Sequence, residues 1–117
     1  VKCGNPNDEH YKELQAMEQE LQSLRTVEGK PYTLFPLPLP DPIYDEAGNR
    51  LPATHANFLI INDAVLIPTY NQPTKDTEAL AMLTIAFPER EIIPIDCQVL
   101  IGQHGSLHCS TMQYPVP

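Results

Sequence analysis

The sequence predicts an α/β chain, and three observations carry that reading. One stretch repeats apolar residues at helical spacing, and a second apolar helix is set between runs that read as strands. Thirteen prolines punctuate 117 residues of which 42% are hydrophobic, so extended and turn segments alternate with material able to form a core. This length fits one domain or less with a modest core. From pattern alone, α/β and α+β arrangements both remain open.

The elements follow in order. Val1 to Gly4 reads as the tail of a strand. Asn5-Pro6-Asn7-Asp8-Glu9 reads as a helix start, with Asn7 the N-cap and acids at the positive end of the dipole. Tyr11, Leu14, Met17, Leu21 and Leu24 then form one apolar stripe, predicting a helix over about residues 8–25 that packs against another part of the chain. Gly29 and Pro31 end it.

Tyr32 to Pro40 begins as a strand, and its alternating Pro36, Pro38 and Pro40 remove donors, so an edge strand is expected in preference to a proline-rich ligand for a partner. Asp41 to Pro52 is a polar loop. Asp41, Asp45 and Glu46 read there as solvated acids before they read as lures for a cation. Asn57 to Ile61 and Ala64 to Thr69, joined at Asn62-Asp63, predict a β-hairpin. Asn71 to Asp76 starts a second helix whose buried side is Ala79, Leu80, Leu83, Ala86 and Phe87, and Glu91 to Ile95 is a further strand. Strand, strand, helix, strand is the expected order.

A net charge of −8 and a pI near 4.7 argue against nucleic-acid binding, which rests on clustered Lys and Arg. Such acidity mainly serves solubility and weakly favours cationic ligands. No apolar run approaches the ~18 residues of a membrane span, and no basic leader opens the sequence. Three cysteines, at 3, 97 and 109, form no CxxC pair. An odd count fits reduced thiols and a cytoplasmic location.

The chemistry-bearing stretch is Gly102-Gln103-His104-Gly105-Ser106-Leu107-His108-Cys109-Ser110-Thr111-Met112-Gln113. Gly102 and Gly105 bracket a turn able to approach a ligand closely, and the turn feeds a β-type run. Strand alternation would put Leu107, Cys109 and Thr111 on one face and His108 on the other, which removes His108 as the base for Cys109. The same split weakens a zinc site built on His104, His108 and Cys109, because no fourth ligand stands at a recognisable spacing. A lone cysteine on a strand is ordinarily a small buried hydrophobe, which is the reading for Cys3 and Cys97.

That stretch resembles the nucleophile segment of the agmatine deiminase family, also called the Porphyromonas-type peptidylarginine deiminases. The resemblance extends to Arg50-Leu51-Pro52-Ala53-Thr54-His55-Ala56-Asn57-Phe58, to Val65 through Tyr70, and to Asn5-Pro6-Asn7-Asp8-Glu9-His10-Tyr11. It covers essentially the whole chain but only the C-terminal part of the family, so a fragment is expected. It implies part of a pentein (α/β propeller) fold built from ββαβ modules: a partial module over about 1–52, a ββαβ module over about 53–97, and the nucleophile strand over about 98–117.

The resemblance further implies hydrolysis of agmatine to N-carbamoylputrescine and ammonia, a step toward putrescine, with Cys109 as covalent nucleophile, Gly105 and Asn57 as substrate contacts, and neither metal nor organic cofactor. His55 stands where the family commonly carries Tyr. The family's proton-shuttling histidine lies in a His-x-Asp motif upstream, and none of His10, His55, His104 and His108 stands in such a motif, so the chain alone is expected to be inactive. Two other readings stand beside this one. In one the substrate is peptidyl-arginine; in the other the chain is a non-catalytic assembly piece that self-associates through exposed sheet edges.

Overall fold

The computed structural model describes residues 1–115. Its elements are α1 (Tyr11–Ser23), β1 (Leu59–Ile60), β2 (Ala64–Thr69), α2 (Pro73–Ala86), β3 (Glu91–Asp96) and two 3-10 turns, Leu100–Gln103 and His108–Ser110. The three strands form one sheet in the order β1-β2-β3. β1 runs antiparallel to β2 with Leu59 opposite Leu66, and β2 runs parallel to β3 with Val65 opposite Ile92. α2 is the crossover that a parallel pair requires.

β2 is the spine because its side chains are apolar on both faces. Val65 and Ile67 are fully buried and join Leu37, Ala79 and Leu83 in one core, which Phe58, Phe87 and Ile92 pack against. Each such large aliphatic side chain contributes about 1.5–3 kcal/mol on burial. Pro68 sits in β2 opposite Ile95 of β3, while β1 pairs only with Val65 and Leu66. A missing donor is therefore tolerated where β2 has a neighbour on one side alone. A second core, Leu51, Tyr70, Cys97, Ile101 and Leu107, fills the space beneath the last turn.

The second helix, the strands on either side of it and their order match the periodicity in the sequence, with β1 shorter than its predicted segment. The first helix starts later than expected. Asn5 and Asp8 each fold their carboxyl or amide oxygen back onto a backbone N–H two residues on, at Asn7 (3.0 Å) and His10 (2.9 Å), so the chain turns before it winds. His10, not Asn7, occupies the N-cap, with no side-chain cap. Tyr11, Leu14 and Met17 are half-buried, whereas Leu21 and Leu24 are exposed, and the stripe faces Leu34 and Phe35 across an open groove.

The expected edge strand over 32–40 reduces to a single parallel bridge between Lys2 and Pro38, because the prolines leave too few donors for a ladder. The cysteine segment also departs from expectation. His108–Ser110 is a 3-10 turn and not a strand. Local bonds close it: Thr111 Oγ1 donates to His108 O (2.8 Å) and Ser110 Oγ to Ser106 O (3.1 Å). The left-handed residue of the preceding turn is His104, at φ 65°, while neither Gly102 nor Gly105 has positive φ.

Candidate active site

Cys109 is the exposed thiol of the chain; Cys3 and Cys97 are buried. The 3-10 turn projects Cys109 outward, and Asn57, from the segment leading into β1, holds it there. Asn57 Oδ1 accepts from the backbone N–H of His108 (2.7 Å) and of Cys109 (3.2 Å), and its Nδ2 donates to Cys109 Sγ (3.1 Å). The carbonyl of Asn57 also accepts from His108 N (3.2 Å). One amide thus pins both the backbone and the sulfur.

The Cys109 thiol lies below the ordinary cysteine range, first because the backbone N–H of Ser106 points at it and second through the Asn57 amide. Both donors favour the anion over the neutral thiol. Gly105 contributes by what it lacks: a Cβ there would stand 3.3 Å from the Cys109 Cβ. A side chain there would make Cys109 give way by a few tenths of an ångström. An exposed thiol with two donors aimed at its sulfur is in the setting that favours the thiolate form.

Beneath the turn runs a buried polar chain that spacing in the sequence does not reveal. His55 is fully buried, its Nε2 2.8 Å from Asp76 Oδ1 and its Nδ1 3.2 Å from Pro38 O. Asp76, in the first turn of α2, also accepts from the backbone N–H of Gln72 (2.8 Å) and Tyr70 (3.2 Å). Tyr70 packs its ring edge-on against His55 and places its hydroxyl 2.7 Å from Ser106 Oγ. Burial pushes the Tyr70 hydroxyl up from its ordinary value. A sequence signal for it is the acid in the first turn of α2, where a carboxylate can accept from the N–H groups at the helix start.

The other candidate residues are dispersed. Alternation no longer separates His108 from Cys109, but the hydrogen bonds His108 makes run through its backbone. His104 is exposed beside Arg50, Glu9 and Thr54 around a cleft of about 530 Å³. Asp41 pairs with Lys75 (2.7 Å), and Asp45 is spent on Asn49 and Ala47 within its own loop, as solvated acids would be. Among the described residues no three His, Cys, Asp or Glu side chains converge as metal ligands, and no helix is long and apolar enough to cross a membrane.

Residues 1–115 match the Porphyromonas-type peptidyl-arginine deiminases, and the chain belongs to that family. It is 30% identical to an agmatine deiminase of Pseudomonas fluorescens over 97% of this chain and 35% of that protein. A Porphyromonas gingivalis protein provisionally assigned as an arginine deiminase has the same fold, with a TM-score of 0.92 and 58% identity over 98% of this chain and 33% of that one. A Cys→Ser variant of the C. jejuni agmatine deiminase, solved with substrate bound, gives a TM-score of 0.82 and 40% identity over 93% of this chain and 30% of its own. The mixed α/β fold of these residues is therefore that of the matching third of these deiminases. The chain spans about a third of the length of the relatives it matches.

Proposed function

We propose that this chain supplies the nucleophile of a guanidine-hydrolysing deiminase that converts agmatine and water to N-carbamoylputrescine and ammonia. The observation that carries the reading is the Asn57 amide on the Cys109 sulfur, 3.1 Å away, in an exposed turn whose donors favour thiolate. The thiolate would attack the central guanidinium carbon. The C–N bond to a terminal nitrogen breaks and ammonia leaves with the proton it needs, giving an amidino-cysteine; water then adds, the C–S bond breaks, and the thiolate and ureido product are released.

Acid–base work in these steps needs a histidine near the sulfur. His55 does not fit, since both ring nitrogens are occupied in the core. The proton shuttle and the carboxylates that would fork the guanidinium belong, in this reading, to the propeller modules beyond these residues, and the chain alone is inactive. Substrate-bound C. jejuni enzyme carrying serine for a cysteine supports a cysteine that acts in chemistry more than in binding. Agmatine is favoured by the curated relative; peptidyl-arginine, favoured by the family's own description, is the second reading. A cytoplasmic site of action is part of the proposal.

The test is release of ammonia and N-carbamoylputrescine from agmatine by the full-length protein, beside Cys109→Ala and with peptidyl-arginine in parallel. Agmatine turnover abolished in the variant supports the reading. Activity on peptide alone replaces it with the second. Turnover of neither points to an assembly piece, for which association through the sheet edges of β1 and β3 would then be measured by concentration-dependent sizing.

A further inference from the structure

Tyr70 lies at the end of β2, with its backbone N–H held by Asp76 and its ring against His55, so its direction is fixed by buried partners. Its hydroxyl meets two segments far apart in sequence. It donates to Thr54 O (3.0 Å) and accepts from Thr54 N (3.0 Å) on one side, and on the other it stands 2.7 Å from Ser106 Oγ. A phenol has one hydrogen, so all three bonds are made when Ser106 donates to Tyr70 and Tyr70 to Thr54. Ser106 is buried, and the turn to Cys109 starts from it.

Thr54 is equally well placed. Its carbonyl accepts Asn57 N (3.2 Å) as well as the Tyr70 hydroxyl, and its Oγ1 accepts Ala56 N (3.2 Å), so the arm that carries Asn57 is anchored at the residue Tyr70 holds. We propose that Tyr70 is a positioning residue, whose hydroxyl clamps the Thr54–Asn57 arm against the Ser106–Cys109 turn and so holds the Asn57 amide on the Cys109 sulfur. The two donors that favour the thiolate arrive from the two segments the phenol joins. Without it, the arm and the turn are linked through the bonds Asn57 makes to His108 and Cys109, both of them exposed residues.

The inference deepens the reading of Cys109 as nucleophile, and its test needs no substrate. The pH dependence of iodoacetamide alkylation at Cys109 is read by peptide mass in the protein and in Tyr70→Phe, with Tm measured on the same samples. Loss of the hydroxyl is expected to raise the midpoint by about 0.5 pH, leaving about threefold less thiolate below both midpoints. Asn57→Ala is expected to raise it similarly, with the double variant rising no further, because both changes remove the same donor.

A purely structural tyrosine would lower Tm and leave the midpoint where it was, and that result overturns the proposal. So does a midpoint in the unsubstituted protein no lower than that of a free cysteine. Should Tyr70→Phe fail to fold, Ser106→Ala removes the hydroxyl at the other end and is judged by the same midpoint. A shifted midpoint together with no turnover in the activity test would sink the deiminase reading and leave the clamp standing; turnover with an unshifted midpoint would do the reverse.

Discussion

Asn57 and Cys109, 52 residues apart in sequence, share a closed pair of hydrogen bonds in which the amide accepts from the Cys109 backbone at 3.2 Å and donates to its sulfur at 3.1 Å. The amide cannot serve both bonds and rotate freely toward a ligand. Asn57 thereby bonds the thiol, and this contact stands beside the substrate contact that the family resemblance implies. Asn57→Asp is the sharpest probe: it keeps an acceptor for the backbone N–H groups and replaces the sulfur's donor with a negative oxygen. Cys109 alkylation should then reach half-rate at a pH above that of the unsubstituted protein and above that of Asn57→Ala, because a like charge adds to the lost donor. A midpoint at or below the unsubstituted value would show that the amide does not act on the sulfur.

Gly105 tests the packing of the same turn. The added methyl of Gly105→Ala would sit 3.3 Å from the Cys109 Cβ, tighter than ordinary contact, so Cys109 must shift by a few tenths of an ångström. Backbone conformation poses no obstacle, since φ is not positive there. The expectation is a Tm shift equivalent to less than about 1 kcal/mol, as for most surface substitutions, with turnover by the full-length protein reduced on the order of tenfold, since sub-ångström displacement of a reacting atom is costly. Thermal melts and kcat on the two proteins check it; a large Tm loss with unchanged kcat would contradict it.

Asp76 carries stability instead. Asp76→Ala would leave His55 Nε2 and the N–H groups of Tyr70 and Gln72 without their acceptor inside the fold. Removing one member of a buried, hydrogen-bonded pair costs about 3 kcal/mol or more, equivalent to a Tm drop on the order of 10 °C for a chain this size. Differential scanning calorimetry measures it directly. A drop of only a degree or two would mean that water replaces the carboxylate.

The parts of this structure that were legible are those governed by repetition. Ala79 and Leu83 recur one turn apart on α2, and Val65 and Ile67 alternate along β2, so the periodicities alone place them in the core. The Cys109 segment misled because six residues carry no reliable period, and the winner was local: the hydroxyls of Ser110 and Thr111 bond backward to carbonyls three or four residues earlier and curl the chain. The site's support escaped for a different reason. Tyr70 and Ser106 are 36 residues apart, and each reads alone as an ordinary residue of its segment. Only folding makes them partners.

Arg50 offers a prediction in which pH gives the answer. Its guanidinium grips Asp8 through two bonds, 3.1 and 3.2 Å, and reaches Glu9 at 2.9 Å, tying the approach to α1 to the loop ahead of the Thr54–Asn57 arm. The Arg50 bond, then the His10 backbone N–H, hold the Asp8 carboxyl below its ordinary range. A carboxyl depressed on folding adds stability above its unfolded pKa of about 3.9, and that stability is lost as pH falls through the lower folded value. Arg50→Ala should therefore melt below the unsubstituted protein at pH 6, and the gap should narrow as both are taken under pH ~4. A gap that stayed constant down the acid limb would show that Arg50 stabilises through its aliphatic stem, without the Asp8 pair.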